Sequence, residues 1–177
     1  MVFSFQETMK KAKNILGICL SIFLIAGCVQ QTTPRLYTNS TYGFSLNPPA
    51  GWQELENKPP NVAVLFAPQN STNISLIIAV PFMLSEGLSL STFADQTEEN
   101  LLASGVEYSI VTRDWRTISQ LQAYEIAYTY EQNGTIKYVK QVAVLRTRTV
   151  FLITFTAPEP LAIPYVTKVD QSIETFL

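Results

Sequence analysis

The sequence predicts an α+β fold in which a central antiparallel β-sheet is flanked by helices. Strand-like runs outnumber helical ones, two stretches have helical spacing, and an Asn-Gly pair separates two long strand patterns. Asn133-Gly134 is the strongest short hairpin signal, because a type I′ turn requires positive φ at both of its central positions. Consecutive strands are therefore expected to be neighbours joined by tight turns.

The strand patterns follow one another along the chain. Residues 43–46, 62–67 and 74–80 are short apolar runs, separated by turn residues at 47–52 and 68–71. Strands at 108–118, 123–131, 136–145 and 150–156 complete the sheet. In 123–131 large and small residues alternate with a period of two, which predicts one aromatic face. Residues 150–156 are almost wholly apolar, which predicts a central strand covered on both faces.

Two helices are predicted by apolar residues at helical spacing. Residues 90–104 form the first, with Ser89 as N-cap and Gly105 ending it in the left-handed conformation. Residues 163–176 form the second, and Pro164 is expected in its first turn, where a missing N–H costs little. One side of the second helix carries its apolar residues, Tyr165, Val169, Ile173 and Phe176.

The N-terminal segment has the order of parts of a lipoprotein signal peptide. Three lysines precede an apolar run at 15–27, and Leu24-Ile25-Ala26-Gly27-Cys28 resembles a processing site. The run is short of the roughly 20 residues that a membrane-spanning helix needs. Cys28 is therefore predicted to be the lipidated first residue of the mature protein. A signal-anchor with an incidental cysteine is the alternative.

Cleavage before Cys28 predicts three parts of the chain. Residues 1–27 form the signal peptide, 28–35 a short linker, and 36–177 one globular domain. The six residues of 29–34 reach only about 20 Å when extended, so the domain is expected to sit close to its membrane. The expected location is the extracytoplasmic face of the cell membrane.

The charge of the predicted mature chain argues against some partners. Without residues 1–27 it has nine basic and thirteen acidic side chains, a net charge of −4. A negative body is not attracted to nucleic acid or to an anionic lipid surface, so no nucleic acid is expected as a partner.

The residue types needed for common catalytic sites are missing. The chain contains no histidine, and its two cysteines are assigned to the signal peptide and to the lipid. Catalytic triads, Cys-His dyads and the usual zinc sites need these residues, and no glycine-rich phosphate loop occurs. No enzyme activity, cofactor or metal is therefore expected. Paired carboxylates remain formally open, but nothing in the sequence marks them as buried: Glu54, Glu56, Glu98, Glu99 and Glu125.

The order of parts resembles the PsbP-like superfamily. The motifs that carry the resemblance are Tyr42-Gly43-Phe44-Ser45-Leu46 followed by Pro49-Ala50-Gly51-Trp52, the helix start Leu90-Ser91-Thr92-Phe93-Ala94, and Phe151-Leu152-Ile153-Thr154-Phe155. The resemblance covers roughly residues 36–176. It implies an α/β/α sandwich, an extracytoplasmic setting and a role as an accessory or assembly factor of a larger complex. Some members bind metal through histidine and carboxylates, and without histidine that property is not carried over.

Three surface features are candidate sites. A basic cluster could dock an acidic partner or a lipid headgroup, or could be ordinary solvated charge: Lys137, Lys140, Arg146 and Arg148. Tyr124, Tyr128 and Tyr130 with Trp115 could line a ligand groove or an interface, or could pack the sheet. Four sequons are possible N-glycosylation sites, at Asn39, Asn70, Asn73 and Asn133.

Two functions follow as hypotheses. The favoured one is a non-enzymatic envelope lipoprotein that is held in the membrane by lipid on Cys28 and binds a protein partner in a membrane complex. The alternative is a binding protein for a small solute or cation, which requires a concave pocket.

Overall fold

The structure is a computed structural model that describes residues 35–71 and 73–177. The predicted signal peptide, Cys28 and all of the linker except Arg35 lie outside the described residues. Those described belong to one compact unit, Thr32–Leu177. They contain the strands β1 (Tyr37–Asn39), β2 (Phe44–Leu46), β3 (Trp52–Glu54), β4 (Val62–Pro68), β5 (Ser75–Ala79), β6 (Phe82–Met83), β7 (Tyr108–Ile118), β8 (Leu121–Gln132), β9 (Thr135–Arg146) and β10 (Thr149–Pro158), and the helices α1 (Leu90–Ala103) and α2 (Glu159–Ile173).

The main sheet is antiparallel and has the strand order β3-β4-β5-β10-β9-β8-β7, with β6 paired to one end of β10. Strands β7 to β10 follow each other as hairpins, whereas β5 pairs with β10 from the other end of the chain. A separate hairpin joins β1 to β2. The expected antiparallel sheet and the central position of β10 are confirmed.

The sheet has two covered faces, and each has its own apolar core. The larger core lies between the sheet, the β1–β2 hairpin and α2, and we call this side the α2 face. Its largest fully buried side chains include Phe66, Phe151, Phe155 and Phe176. The smaller core lies between the sheet and α1, on the side that we call the α1 face. The predicted α+β fold, with helices on both sides of the sheet, is therefore confirmed.

Helix α1 begins and ends as the sequence predicts. The Ser89 hydroxyl accepts a hydrogen bond from the backbone N–H of Thr92 at 3.2 Å, which satisfies one of the free donors of the first turn. Gly105 follows the helix with φ +70°, a conformation that costs glycine little. Leu90 and Ala94 are buried, and Phe93 and Leu101 pack against the same core.

Helix α2 begins at Glu159, four residues earlier than the sequence predicts, so the expected start is wrong. Pro160 lies at the helix start, where its missing N–H is not needed, and it takes the role that was expected of Pro164. Pro164 lies inside the helix instead. Its side chain is exposed, so the ring meets solvent rather than the core. The apolar side is as predicted, because Val169 and Ile173 are buried against the sheet.

Neither helix could cross a bilayer, since none in the described part of the chain is both long and apolar enough.

Candidate functional site

One open recess is a groove on the α1 face, at the C-terminal end of α1. It has a volume of about 300 Å³, at the low end of the range of ligand pockets. Strands β7 to β10 form its floor and the end of α1 with the following loop forms one wall. Its lining consists of Leu101, Ser104, Val106, Tyr108, Tyr128, Tyr130, Val139, Gln141, Thr154 and Thr156. We call this feature the tyrosine groove.

Every side chain that lines the tyrosine groove is uncharged. Three phenols, a serine, two threonines and one amide supply hydrogen-bonding groups among aliphatic and aromatic surface. The rings of Tyr108 and Tyr128 meet edge to face at 6.0 Å, and Tyr130 lies 6.2 Å from Tyr128. Such a lining suits a ligand segment that is itself uncharged and partly apolar, because polar groups need hydrogen bonds but no counter-charge.

Tyr128 links the groove to the core. Its residue is only 7% exposed, and it belongs to the apolar cluster beneath α1. Burial raises the pKa of the Tyr128 phenol, and the nearby Tyr130 adds to the increase. The hydroxyl therefore remains a neutral donor and acceptor at the edge of a packed ring. A rigid ring of this kind can contact a ligand with little loss of conformational entropy.

The aromatic residues predicted from sequence are divided between packing and the groove. Tyr124 is buried against α1 and donates a hydrogen bond to the Glu98 carboxylate, which is also paired with Arg113 at 2.7 Å. Burial and that hydrogen bond raise the pKa of Tyr124. The Trp115 ring packs at a tilt against Tyr124, with centroids 4.9 Å apart, but lies outside the groove. Of the four predicted residues, Tyr128 and Tyr130 line the groove, and Tyr124 and Tyr128 pack the sheet, so both interpretations apply.

A second cluster, which the sequence did not reveal, holds α2 on the sheet. Lys140 of β9 lies 3.1 Å from Glu125 of β8 and 2.7 Å from Asp170 of α2. Arg116 of β7 forms ion pairs with Glu125 and with Glu174, just after α2. The Lys140 and Glu125 side chains are 6% and 8% exposed, so this pair is nearly dry. We call these five residues the ion-pair network.

The network keeps its cations charged. Burial alone would lower the pKa of Lys140, but the hydrogen bond to Asp170 and the charges of Glu125 and Asp170 outweigh it, so the pKa is raised. The same balance raises the pKa of Arg116, through Glu174 and Glu125. Each buried charge therefore has a partner, which is the condition for tolerating it in an interior. The network serves the fold rather than an open site.

The predicted basic docking cluster does not form one patch, and this expectation is wrong. Lys140 is buried in the ion-pair network, and Lys137 lies near the other end of β9 from Arg146. Arg146 donates to the Gly43 carbonyl and lies over the Phe151 ring, whereas Arg148 donates to the Leu84 carbonyl. An extended strand separates residues nine positions apart by about 30 Å, so the four cations cannot act together.

The four sequons occupy different environments. Asn70 and Asn133 are exposed at turns with positive φ, and Asn73 is exposed before β5. Asn39 is half-buried: its amide donates to the Tyr37 hydroxyl and its carbonyl accepts from the Tyr42 N–H. A glycan on Asn39 would be attached to the nitrogen that donates to Tyr37, whereas the side chains of the other three are exposed. Intact-mass measurement reads out their use directly.

No metal centre is formed by the residues that the structure describes: nowhere in 35–71 and 73–177 do three His, Cys, Asp or Glu side chains come together in a suitable group.

Comparison with solved structures supports the fold. Cyanobacterial PsbP (CyanoP) from Synechocystis is similar over 86% of this chain and 98% of its own, with a TM-score of 0.61 and 12% identity. LpqN of Mycobacterium tuberculosis, described as involved in cell envelope biogenesis, is similar over 76% of this chain and 82% of its own, with a TM-score of 0.61 and 13% identity. The PsbP-like fold implied by the sequence is thus confirmed.

Sequence comparison provides the family. No curated protein sequence matches the chain. The family model described as DcrB matches residues 44–175, from β2 to just beyond the end of α2. This match covers both helices and the whole main sheet, including the tyrosine groove and the ion-pair network. The chain belongs to the DcrB family.

Proposed function

We propose that this protein is a lipid-anchored, extracytoplasmic accessory protein that binds part of a membrane complex through its tyrosine groove and catalyses no reaction of its own. The observation that carries the proposal is the groove's composition, since its lining offers stacking surface and neutral hydrogen-bonding groups. These features suit recognition of an uncharged, partly apolar segment of a protein partner. The envelope-related description of LpqN agrees with this setting.

The buried and partly buried carboxylates stabilise the fold and do not line the tyrosine groove. The most buried carboxylate, Glu125, is neutralised by Lys140 and Arg116 and holds α2 in place. Glu98 is held by Tyr124 and Arg113 beside α1. Carboxylates fixed in this way stabilise the scaffold, and the open face is left to uncharged residues. We therefore expect the groove to select a partner by shape and hydrogen bonding rather than by charge.

Site-specific photocrosslinking in native membranes tests the groove. A photoreactive amino acid at Tyr130, on the rim, should form one dominant adduct with a membrane protein, identified by mass spectrometry. The matched control is the same probe at Ile163, which is exposed on α2 at the opposite side of the sheet. Equal labelling from both positions, or none from Tyr130, would contradict the proposal.

The lipid anchor has its own test. Cys28→Ala should leave the precursor unprocessed at this site and without lipid, so that the metabolic label from a fatty acid is lost. Cys19→Ala is the control, because this cysteine lies within the predicted signal peptide and should leave lipidation unchanged. Recovery of the lipid-labelled form from Cys28→Ala would overturn the assignment.

A small uncharged solute is the second candidate occupant, favoured by the groove's modest volume of about 300 Å³. In that case a neutral ligand would raise the melting temperature of the protein, and Tyr130→Ser with Gln141→Ala would abolish the shift. The Tyr130 photoprobe would then capture no protein, which separates the two candidates.

A further inference from the structure

The outer strand β7 presents a long open edge. It is the last strand of the main sheet, eleven residues long, whereas β3 at the other edge has three. Proteins usually protect such edges with bulges, charges or short strands. A bulge between Ile110 and Thr112 distorts the first part of β7. The regular part from Arg113 to Ile118 has no partner on its outer side among the described residues.

The turn after β7 fixes which backbone groups face outward. Ser119 and Gln120 have φ of +48° and +69°, as a two-residue type I′ hairpin requires. The closing pair of such a hairpin, Ile118 with Leu121, is hydrogen bonded. Alternation along the strand then directs the N–H and C=O groups of Thr117, Trp115 and Arg113 away from β8.

Two side chains on this edge are unusual: an aromatic ring that is largely exposed and a carboxylate without a cationic partner among the described residues. Trp115 is 53% exposed, although its ring packs at a tilt against Tyr124. Asp114 lies directly opposite Glu125 in the β7–β8 register and forms no ion pair with another described residue. Glu125 is neutralised by Lys140 and Arg116, whereas the cross-strand neighbour of Asp114 is itself a carboxylate. A partner that covers the tryptophan and supplies a cation next to Asp114 would satisfy both.

From this edge we infer that β7 pairs in antiparallel orientation with β7 of a second copy, about a twofold axis at Trp115. In this register Trp115 exchanges backbone hydrogen bonds with its own counterpart, and Arg113 does so with Thr117. Asp114 lies opposite Arg116 of the second copy on both sides of the axis. The two are a non-hydrogen-bonded pair, in which side chains approach most closely.

The neighbouring registers are disfavoured by charge. An axis at Asp114 would place two aspartates face to face, and an axis at Arg113 or Arg116 would do the same with two arginines. Arg116 has donors to spare, because a guanidinium has five N–H groups and the pairs with Glu125 and Glu174 use part of them. Charge complementarity therefore selects both the occupant, a second copy, and the register.

The geometry also suits two copies on one membrane. A twofold axis perpendicular to the sheet keeps the same face of both copies on the same side. Arg35, from which the chain continues towards Cys28, lies beside Trp52 and Phe66 on the α2 face. Both N-terminal segments would then leave the dimer from the same side. Anchoring in one membrane would further raise the effective concentration of the pair.

Cysteine crosslinking in the full-length protein in its membrane tests the register. Arg113→Cys and Thr117→Cys are made separately, and membranes containing both variants are treated with a short bismaleimide. The mixture should give a crosslinked dimer. Thr117→Cys alone should give at least tenfold less, because the two Thr117 residues lie four positions out of register, about 14 Å apart.

A charge variant completes the test. Asp114→Arg, introduced into both cysteine variants, should lower the dimer yield at least tenfold, since it places arginine opposite Arg116. Glu99→Arg is the control, because Glu99 is an exposed carboxylate on α1 that does not line the recess beside Asp114 and Trp115. Circular dichroism confirms that each variant is folded. Absence of the crosslinked dimer in the mixture, equal crosslinking by Thr117→Cys alone, or an unchanged yield with Asp114→Arg would overturn the inference.

Discussion

Lys140 shows how much a single residue depends on the whole fold. In the sequence it is one of several cations on a strand, and nothing near it predicts burial. Its partners are Glu125 on the neighbouring strand and Asp170 on α2. Sequence spacing cannot show that these three residues meet, because the contact depends on the strand register and on where α2 lies. This is why the sequence does not reveal the ion-pair network and leaves only docking or ordinary solvated charge as interpretations of Lys140.

Removing Lys140 should cost more than removing any other lysine of the domain. Lys140→Met leaves Glu125 and Asp170 facing each other at the edge of the core, so the free energy of unfolding should fall by about 3–5 kcal/mol. Lys137→Met, on the same strand and outside the network, should change it by less than about 0.5 kcal/mol. Urea unfolding followed by circular dichroism measures both, and equal values would contradict the network's role.

The same lysine predicts how stability changes at alkaline pH. In the unfolded chain a lysine loses its proton at about pH 10.4. Because the pKa of Lys140 is raised in the fold, its contribution to stability is complete below that pH. The contribution is lost as pH rises from there through the raised pKa.

Lys140→Met should therefore show a shallower decline in unfolding free energy between pH 9.5 and 11.5 than the wild type. The phenols of Tyr124 and Tyr128, whose pKa is raised without any contribution from Lys140, also favour alkaline unfolding but do so in both proteins. Tyr138→Phe in both backgrounds removes the one raised phenol that the charge of Lys140 affects. Only the difference between the two curves reports on the lysine. Parallel curves would show that Lys140 is not held as a cation in the core.

Individual elements differ in how far the sequence specifies them. The β8–β9 turn was predicted because Asn133 and Gly134 both accept positive φ, and they have φ of +51° and +74°. The β7–β8 turn requires the same conformation of Ser119 and Gln120, residue types that give no such signal. Similarly, the predicted start of α2 is four residues too late, because Pro164 suits the first turn of a helix as well as Pro160 does. The local sequence does not specify the conformation of the β7–β8 turn or the first residue of α2, and both depend on packing in the folded protein.

The β7–β8 turn offers a stabilising substitution. Replacing Ser119-Gln120 by Asn-Gly removes the strain of positive φ at both positions, so the free energy of unfolding should rise by about 0.5–1 kcal/mol. The same replacement at Glu56-Asn57, in an irregular loop, is the control and should bring no gain. Thermal unfolding measures both. A loss of stability at 119–120 would indicate that the turn has another conformation.

At the scale of the whole molecule, the C-terminus completes the larger core. Phe176 packs against Phe44 and Phe151, with ring centroids 5.6 and 5.2 Å apart. The backbone of Leu177 exchanges two hydrogen bonds with Ser45 of β2. The last residues thus fasten the β1–β2 hairpin to the sheet, which the amphipathic pattern alone could suggest for Phe176 but not for Leu177.

Phe176→Ala should therefore lower the free energy of unfolding by about 3–5 kcal/mol, as other large truncations in cores do. Leu177→Ala is the matched control, because the Leu177 side chain is exposed and only its backbone is used. We expect a change below about 0.5 kcal/mol for it. Similar losses in denaturant unfolding for the two variants would contradict this account of the C-terminus.

The position of β10 between β5 and β9 also determines the order in which the chain can fold. The hairpins from β7 to β10 connect near neighbours in sequence and can form early, since little loop entropy is lost. The strands β3, β4 and β5 join the sheet only through β10, near the end of the chain. A growing polypeptide can therefore pair β3, β4 and β5 with one another early, but these strands join the rest of the sheet only after β10 has been made.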